Sequence, residues 1–454
     1  MMIRKLVAIL CIAAFLPAQA MAQQGMTIIR DTEIEDALKT WTTPILNAAG
    51  LSPQAVDIIL VQSPELNAFV AGGSNIFLYT GLIAATKNPG ELLGVIAHET
   101  GHIAGGHLIR GREAMEHASY EAVLATILGI GIGALGGGDA SAAITRGGQG
   151  AAMGSFLSHS RTQESSADQA GLRYLEAAGM SPRGMETFLS TMQDQELLPA
   201  SQQNSYVRTH PLTRERMAAV QHAVTKSAFA DTPYPAEWTR EFERIRGKLV
   251  AFIEPQRVAW LYGDKDNSIN ALYARSIAAY RRSEKTRALD LIGQVIAAEP
   301  DNPYAYEMKG QMLRDFGDLG GAANAYRKAI KLKGDAALIR IDLAQVLTEQ
   351  AGQGNKSLYA EAENQLDMAA RKETRSTTIH RLYATIYGRQ GDTARAQYHL
   401  AEEAALRNRL KEAQKLLDGA MQGLKPGTRD YRRAMDLKLY LDTRPKKDGE
   451  DDDK

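Results

Sequence analysis

From Ala271 onward the chain repeats itself every 34 residues. Ser276, Ala288, Val295 and Pro300 are followed 34 positions later by Gly310, Ala322, Ala329 and Gly334. Small residues recurring at fixed points mark where two helices touch, and the proline or glycine marks where the second helix stops. Such a unit cannot bury its faces alone and must stack on its neighbours. The C-terminal half is therefore expected to be an α-solenoid of helical hairpins over residues 269–441. A third unit around Ala344, with about six extra residues before Ala362 and Ala369, and a fourth around Ala384 and Ala396 are looser.

The spacing is similar to that of tetratricopeptide repeats, which makes the region a docking surface for peptides or proteins. The rest of the chain must carry any chemistry. Among its 454 residues, 53 Lys+Arg stand against 53 Asp+Glu. That balance speaks against a nucleic-acid binder, and a 44 % hydrophobic content speaks against wholesale disorder.

Arg4 and Lys5 precede an apolar run from Leu6 to Leu16 and small-residue sites ending at Ala20 and Ala22. This reads as a secretory signal peptide over 1–22, too short to span a bilayer. Cys11, the single cysteine, lies inside the run behind Leu10, so lipidation is not expected. Cleavage after Ala22 would leave a mature chain without thiols, stabilised by its core and a metal in the periplasm.

Thr32 to Ala49 is predicted to be a helix capped at Thr32. The runs Asp57–Gln62, Asn67–Ala71 and Asn75–Tyr79, with Gly72-Gly73 between the last two, predict a small antiparallel sheet. Glu91 to His107 has helical spacing and stops at Gly105-Gly106. Ala122 to Leu135 is nearly all apolar and glycine-rich, and fits a buried hairpin or a segment touching a membrane surface. Helical pattern returns from Gly154 to about Ser227. The expected organisation is a catalytic domain over 23–230, a linker with a helix over 231–268, the repeats over 269–441, and a charged, solvated tail over 442–454.

His98-Glu99-Thr100-Gly101-His102 is the strongest chemical signal. Residues four apart on a helix share a face, so both imidazoles can hold one Zn²⁺ while Glu99, one residue on, points near the open position. A catalytic zinc needs a third protein ligand. His107 misses the register of H-E-x-x-H-x-x-G-x-x-H, whose last histidine falls on Leu108, and reads as a supporting residue. Glu164 is the better candidate: Glu164 and Asp168 share a helical face, so one can bind metal while the other orients a ligand histidine.

Asn67-Ala-Phe, Gly73-x-Asn-Ile, Thr80-Gly-Leu-Ile, the segment Glu91–His102 and Glu164-x-x-Ala-Asp168 together resemble the HtpX/CAAX-prenyl-protease type of gluzincin. With a signal peptide and C-terminal repeats, the chain is most similar to the periplasmic BepA (YfgC) group. The resemblance implies a mainly helical α+β zinc endopeptidase with one Zn²⁺ per chain, bound by His98, His102 and Glu164. Glu99 would then be the general base and Asp168 the holder of His98 or His102. It implies that an edge strand at Asn67, Ala68 and Phe69 takes the substrate backbone by strand addition. It also implies that His210, in Arg208-Thr-His-Pro211, is a removable fourth ligand or a transition-state contact.

The implied partners are unfolded or misassembled outer-membrane proteins and their assembly machinery, met through the repeats, in a periplasmic protein that can lie peripheral to the outer membrane. Nucleic acid is not among them. The alternative is a chaperone or adaptor with a latched zinc site. An embedded prenyl-protein protease is disfavoured, because no segment is long enough to span.

Overall fold

The computed structural model describes residues 26–107, 161–196, 198–199, 202–263 and 265–443. The expected signal peptide, the apolar segment 122–135 and nearly all of the charged tail lie outside these residues. The described chain is mainly helical with one four-stranded sheet, followed by a stack of helical hairpins.

The strands are β1 (Ile28–Ile29), β2 (Ile58–Val61), β3 (Ala68–Ala71) and β4 (Asn75–Tyr79), in the order β1-β2-β4-β3. The sheet is mixed, not purely antiparallel as the sequence suggested, because β2 and β4 run parallel. β4 takes an interior place between β2 and β3, and β3, turned back by Gly72-Gly73, goes to the edge, although both strands are buried.

Helix α1 (Thr32–Ala48) buries Ile34, Leu38, Trp41 and Ile45 on one stripe. Its cap is Asp31, whose side chain accepts from Ile34 N at 3.0 Å, one residue before the expected Thr32. Asp31 brings a carboxylate to the helix N-terminus, a better match to the macrodipole than a hydroxyl. After the short α2 (Thr80–Ala85), α3 (Pro89–Ala104) is capped by Asn88 and is buried over most of its length. Four helices follow: α4 (Arg161–Ala177), α5 (Arg183–Glu196), the single turn α6 (Ser205–Thr209) and α7 (Arg214–Lys226).

The segment expected as a linker with a helix contains α8 (Ala236–Ile253), which shares in two cores. Phe242, Ile245 and Leu249 pack in the first domain, while Ala251 packs in the core of the repeats. Beyond the short α9 (Val258–Leu261), five hairpins stack: α10 (Ile269–Arg281) with α11 (Lys285–Ala298), α12 (Pro303–Asp315) with α13 (Leu319–Leu332), α14 (Ala337–Gly352) with α15 (Leu358–Ala369), α16 (Thr377–Gln390) with α17 (Thr393–Leu406), and α18 (Leu410–Gly423) with α19 (Arg429–Thr443). The 34-residue signal is visible in the packing. Ala288, Ala322 and Ala329 are fully buried, and a Cβ on Gly310 would lie 2.8 Å from the Tyr326 ring.

Candidate metal centre

His98 and His102 stand one turn apart on α3, and both are 1 % exposed. Glu164 and Asp168 stand one turn apart on α4 and are buried as well. The two helices meet because each presents a glycine to the other. A Cβ on Gly101 would lie 2.6 Å from Ala167 O, and one on Gly171 would lie 2.9 Å from the Ala97 carbonyl carbon. No larger residue fits at either place without separating the helices.

The close approach brings four side chains together. His98 Nε2 lies 3.0 Å from His102 Nε2, 3.4 Å from His210 Nδ1 and 3.4 Å from Glu164 Oε2. Glu164 Oε1 lies 3.2 Å from both His102 Nε2 and His210 Nδ1. In a tetrahedral site with bonds of about 2.0–2.1 Å, neighbouring donors stand roughly 3.3–3.4 Å apart. The residues therefore fit one zinc ion, with His98, His102, Glu164 and His210 as a buried donor set.

The surrounding groups fix the donors. Asp168 Oδ1 is 2.8 Å from His98 Nδ1, and His107 Nδ1 is 2.9 Å from His102 Nδ1, so Asp168 serves His98 and His107 serves His102. Arg216, buried on α7, donates to both Asp168 oxygens at 2.6 and 2.8 Å and to Pro211 O at 2.6 Å. Its Nη1 also forms an ion pair with Glu164 Oε2 at 2.9 Å, outside hydrogen-bond alignment. The sequence motifs alone assign Arg216 no role at this site. Its role depends on a helix 48 residues from Asp168, which local spacing cannot reveal.

Glu99 is fully buried, and neither of its oxygens has a hydrogen-bond partner among the described residues. His210 Nε2 stands 3.5 Å from Glu99 Oε1. Burial pushes the Glu99 carboxyl above its ordinary value, against the pull of His210 and His98. Burial works the same way on Glu164, yet His210 and His98 hold that group well below the usual range. The two carboxylates are thus set apart in basicity, one as a weakly acidic acceptor and the other as a permanent anion.

At the sheet edge, Tyr79 N donates to Asn67 O at 3.0 Å, so the backbones of Asn67 and Phe69 face β4, while those of Leu66, Ala68 and Val70 face outward. Of the three expected substrate-strand residues, only Ala68 has its backbone on the open edge, and its carbonyl lies 3.1 Å from His210 Nε2. Phe69 is stacked on Phe77, and Asn67 Oδ1 accepts from Thr209 Oγ1. Tyr206 N and Ser205 Oγ both donate to Leu66 O at 2.9 Å. The α6 turn that carries His210 is therefore tied to the same edge.

An H-E-x-x-H helix joined by a glutamate from a second helix, beneath the edge of a small sheet, defines a gluzincin-type metallopeptidase. Residues 31–224 match the model of peptidase family M48. The chain is 25 % identical over 384 residues to the beta-barrel assembly-enhancing protease of Escherichia coli strain K12, covering 81 % of this chain and 75 % of that protein. It is 24 % identical over 312 residues to the protein of the same name from Yersinia pestis, covering 64 % and 60 %. It is 29 % identical over 177 residues to metalloprotease LoiP of E. coli K12, covering 38 % and 66 %. The chain is a zinc metalloendopeptidase, as its motif had suggested.

Proposed function

We propose that this metalloendopeptidase works in the periplasm on outer-membrane proteins that have failed to assemble, with its repeats docking the substrate or the assembly machinery. The observation that carries the catalytic reading is Glu99, a buried carboxylate without a hydrogen-bond partner among the described residues, beside a complete donor set. A structural site would have no use for such a group. Among the described residues no helix is long and apolar enough to cross a membrane.

Zinc held by His98, His102 and Glu164 supplies Lewis acidity toward a peptide carbonyl and acidifies water. Glu99 takes the proton of the attacking water and returns it to the leaving amine. Asp168, itself clamped by Arg216, keeps His98 Nδ1 protonated and its Nε2 free to ligate. The outward backbone groups of Val70 and the Ala68 N–H receive the substrate strand.

A second reading is favoured by His210, whose Nδ1 already belongs to the donor set. In this reading the imidazole is a latch, and the chain acts chiefly as a chaperone or adaptor until it is displaced. Cleavage of casein by the zinc-loaded chain, beside Glu99→Gln and His210→Ala, tests both. The enzyme reading expects cleavage that Glu99→Gln abolishes. The latch expects His210→Ala to raise cleavage at least several-fold, and fails if that variant is unchanged or inactive.

A further inference from the structure

Helix α1 engages the first two hairpins. Tyr273 of α10 donates to Glu33, Tyr304 of α12 donates to Asp36, and Lys333, just past α13, lies 3.1 Å from Asp36. Farther along the stack, the fourth and fifth hairpins enclose a cavity of about 620 Å³ between α16, α17 and α19. Its surface is more apolar than polar, and aromatic rings line much of it. Tyr383 stacks on His399 at 4.5 Å between centroids, and Tyr398 packs on the same imidazole at 4.8 Å. Tyr440, which also lines the cavity, is 44 % exposed.

The charged groups around these rings are unevenly engaged. Asp367 accepts from the Tyr383 hydroxyl at 2.8 Å and pairs with Arg429 at 3.4 Å. Glu402 accepts from the Tyr398 hydroxyl at 2.7 Å, and Glu373 pairs with Arg30 at 2.9 Å. Arg375 and Arg433 line the cavity as well, and among the described residues neither forms an ion pair, although Asp436 stands in the same wall. The Arg433 charge is felt at the rings. Burial first, and Arg433 with it, hold His380 and His399 below their ordinary value, so both imidazoles are neutral members of the wall.

An apolar, ring-lined cavity with guanidinium groups to spare fits a flat apolar group attached to an anion. We propose that this cavity binds an aromatic side chain of a docking polypeptide segment, with a neighbouring aspartate or glutamate of that segment meeting Arg433 or Arg375. The ligand ring would meet Tyr440 and His380, the more accessible rings of the lining, with the buried Tyr383, Tyr398 and His399 behind them. An internal segment is favoured over a chain end because the two guanidinium groups stand on different elements, Arg375 before α16 and Arg433 on α19. Carboxylates on both sides of the ring then find a partner. Tyrosine and arginine are also residues that often carry the energy of protein contacts.

The inference rests on the reading of the repeats as a docking surface, and its readout is independent of the zinc site. Ac-Asp-Phe-Asp-NH₂ is titrated into the full, zinc-loaded Glu99→Gln chain while the methyl signals of Ile379 and Leu437, both in the cavity lining, are followed by NMR. Saturable shifts of both are expected, with affinity at least tenfold lower for Ac-Asp-Ala-Asp-NH₂ and at least fivefold lower for Ac-Asn-Phe-Asn-NH₂. Arg433→Gln, a change at an exposed position, should weaken the aspartyl peptide at least threefold and leave the asparaginyl peptide unchanged, a pattern that a fold defect would not produce. No shifts with the aspartyl peptide, or equal binding of the asparaginyl one, would overturn the proposal. Acetyl-phenylalanine binding tenfold more tightly than the tripeptide would overturn it in favour of a chain end. Unfolded casein titrated in parallel tests the docking reading itself. Shifts on the repeats with casein alone would remove this site and keep that reading, and no shifts with either would remove both.

Discussion

His98, His102 and His210 are buried among carboxylates, whereas His399 is buried, and His380 partly buried, beside tyrosines and arginines. In the first group burial disfavours the charged imidazole, but Glu164 and Asp168 outweigh it and raise His98 to about 10. In the second, burial again comes first, no carboxylate outweighs it, and Arg433 adds to it, so His380 falls to about 4. His399 lies under Tyr383 at 4.5 Å between centroids and is held well below its ordinary value for the same reasons, with His380 itself contributing. Burial is common to both groups, so burial alone does not mark a functional histidine. The anions in direct contact with the first group make it a cation site, whereas His380 and His399, tilted against each other and close to Arg433, are held neutral.

The sharpest way to break this contrast is to remove the anions. Glu164→Gln should abolish stoichiometric zinc binding and lower peptidase activity by on the order of 10³-fold or more, whereas Glu99→Gln should lose similar activity with zinc retained. Metal analysis alongside turnover separates the two, and a zinc-replete Glu164→Gln would show that the histidines suffice. Asp168→Asn changes only the group behind His98. A loss of about 10–100-fold in zinc affinity is expected, read by competition with a chelator.

These residues were unequally legible in the chain. His98, Glu99 and His102 lie within one and a half turns of one helix, so their spacing alone brings them together. Glu164 and Asp168 could be paired with them only because they too share a helical face. The side of the partnership that depends on a third element was out of reach, since Arg216 clamps Asp168 from α7, whereas His107, read as a supporting residue and lying just past α3, meets His102. The sheet shows the same limit. Its strands were readable as apolar runs, but the parallel pairing of β2 with β4 joins segments distant in the chain, which local pattern does not reveal. The repeats were visible because each hairpin copies its neighbour, whereas α8 belongs to two cores at once and so carries no single period.

The glycines between α3 and α4 offer the next test, because they let anions and imidazoles meet at all. Gly171→Ala places a Cβ against the α3 backbone and should cost roughly 1–3 kcal/mol of stability, as overpacking generally does. Chemical denaturation should report it, together with weakened zinc binding. Gly293, which has open space around it, should accept alanine without loss, and equal costs at the two sites would show that helix approach is not what Gly171 provides.

The smallest effect lies in the second histidine group, and its sign follows from the depressed pKa. The His380 value of about 4 is below the ordinary 6.5, so the unfolded chain takes up a proton that the folded chain refuses. This part of the stability is complete above about pH 6.5 and is lost as pH falls toward 4. His380 Nδ1 and His399 Nδ1 are 3.1 Å apart, which allows one to donate to the other only while at least one is neutral. The double variant His380→Leu/His399→Phe removes both titrating groups and keeps a ring for Tyr383 to stack on. Its melting temperature should lose roughly 5 °C less than the parent's between pH 6.5 and 4. Parallel pH profiles would mean that the pair is already protonated in the folded chain. The two histidine groups would then differ in their neighbours but not in their charge.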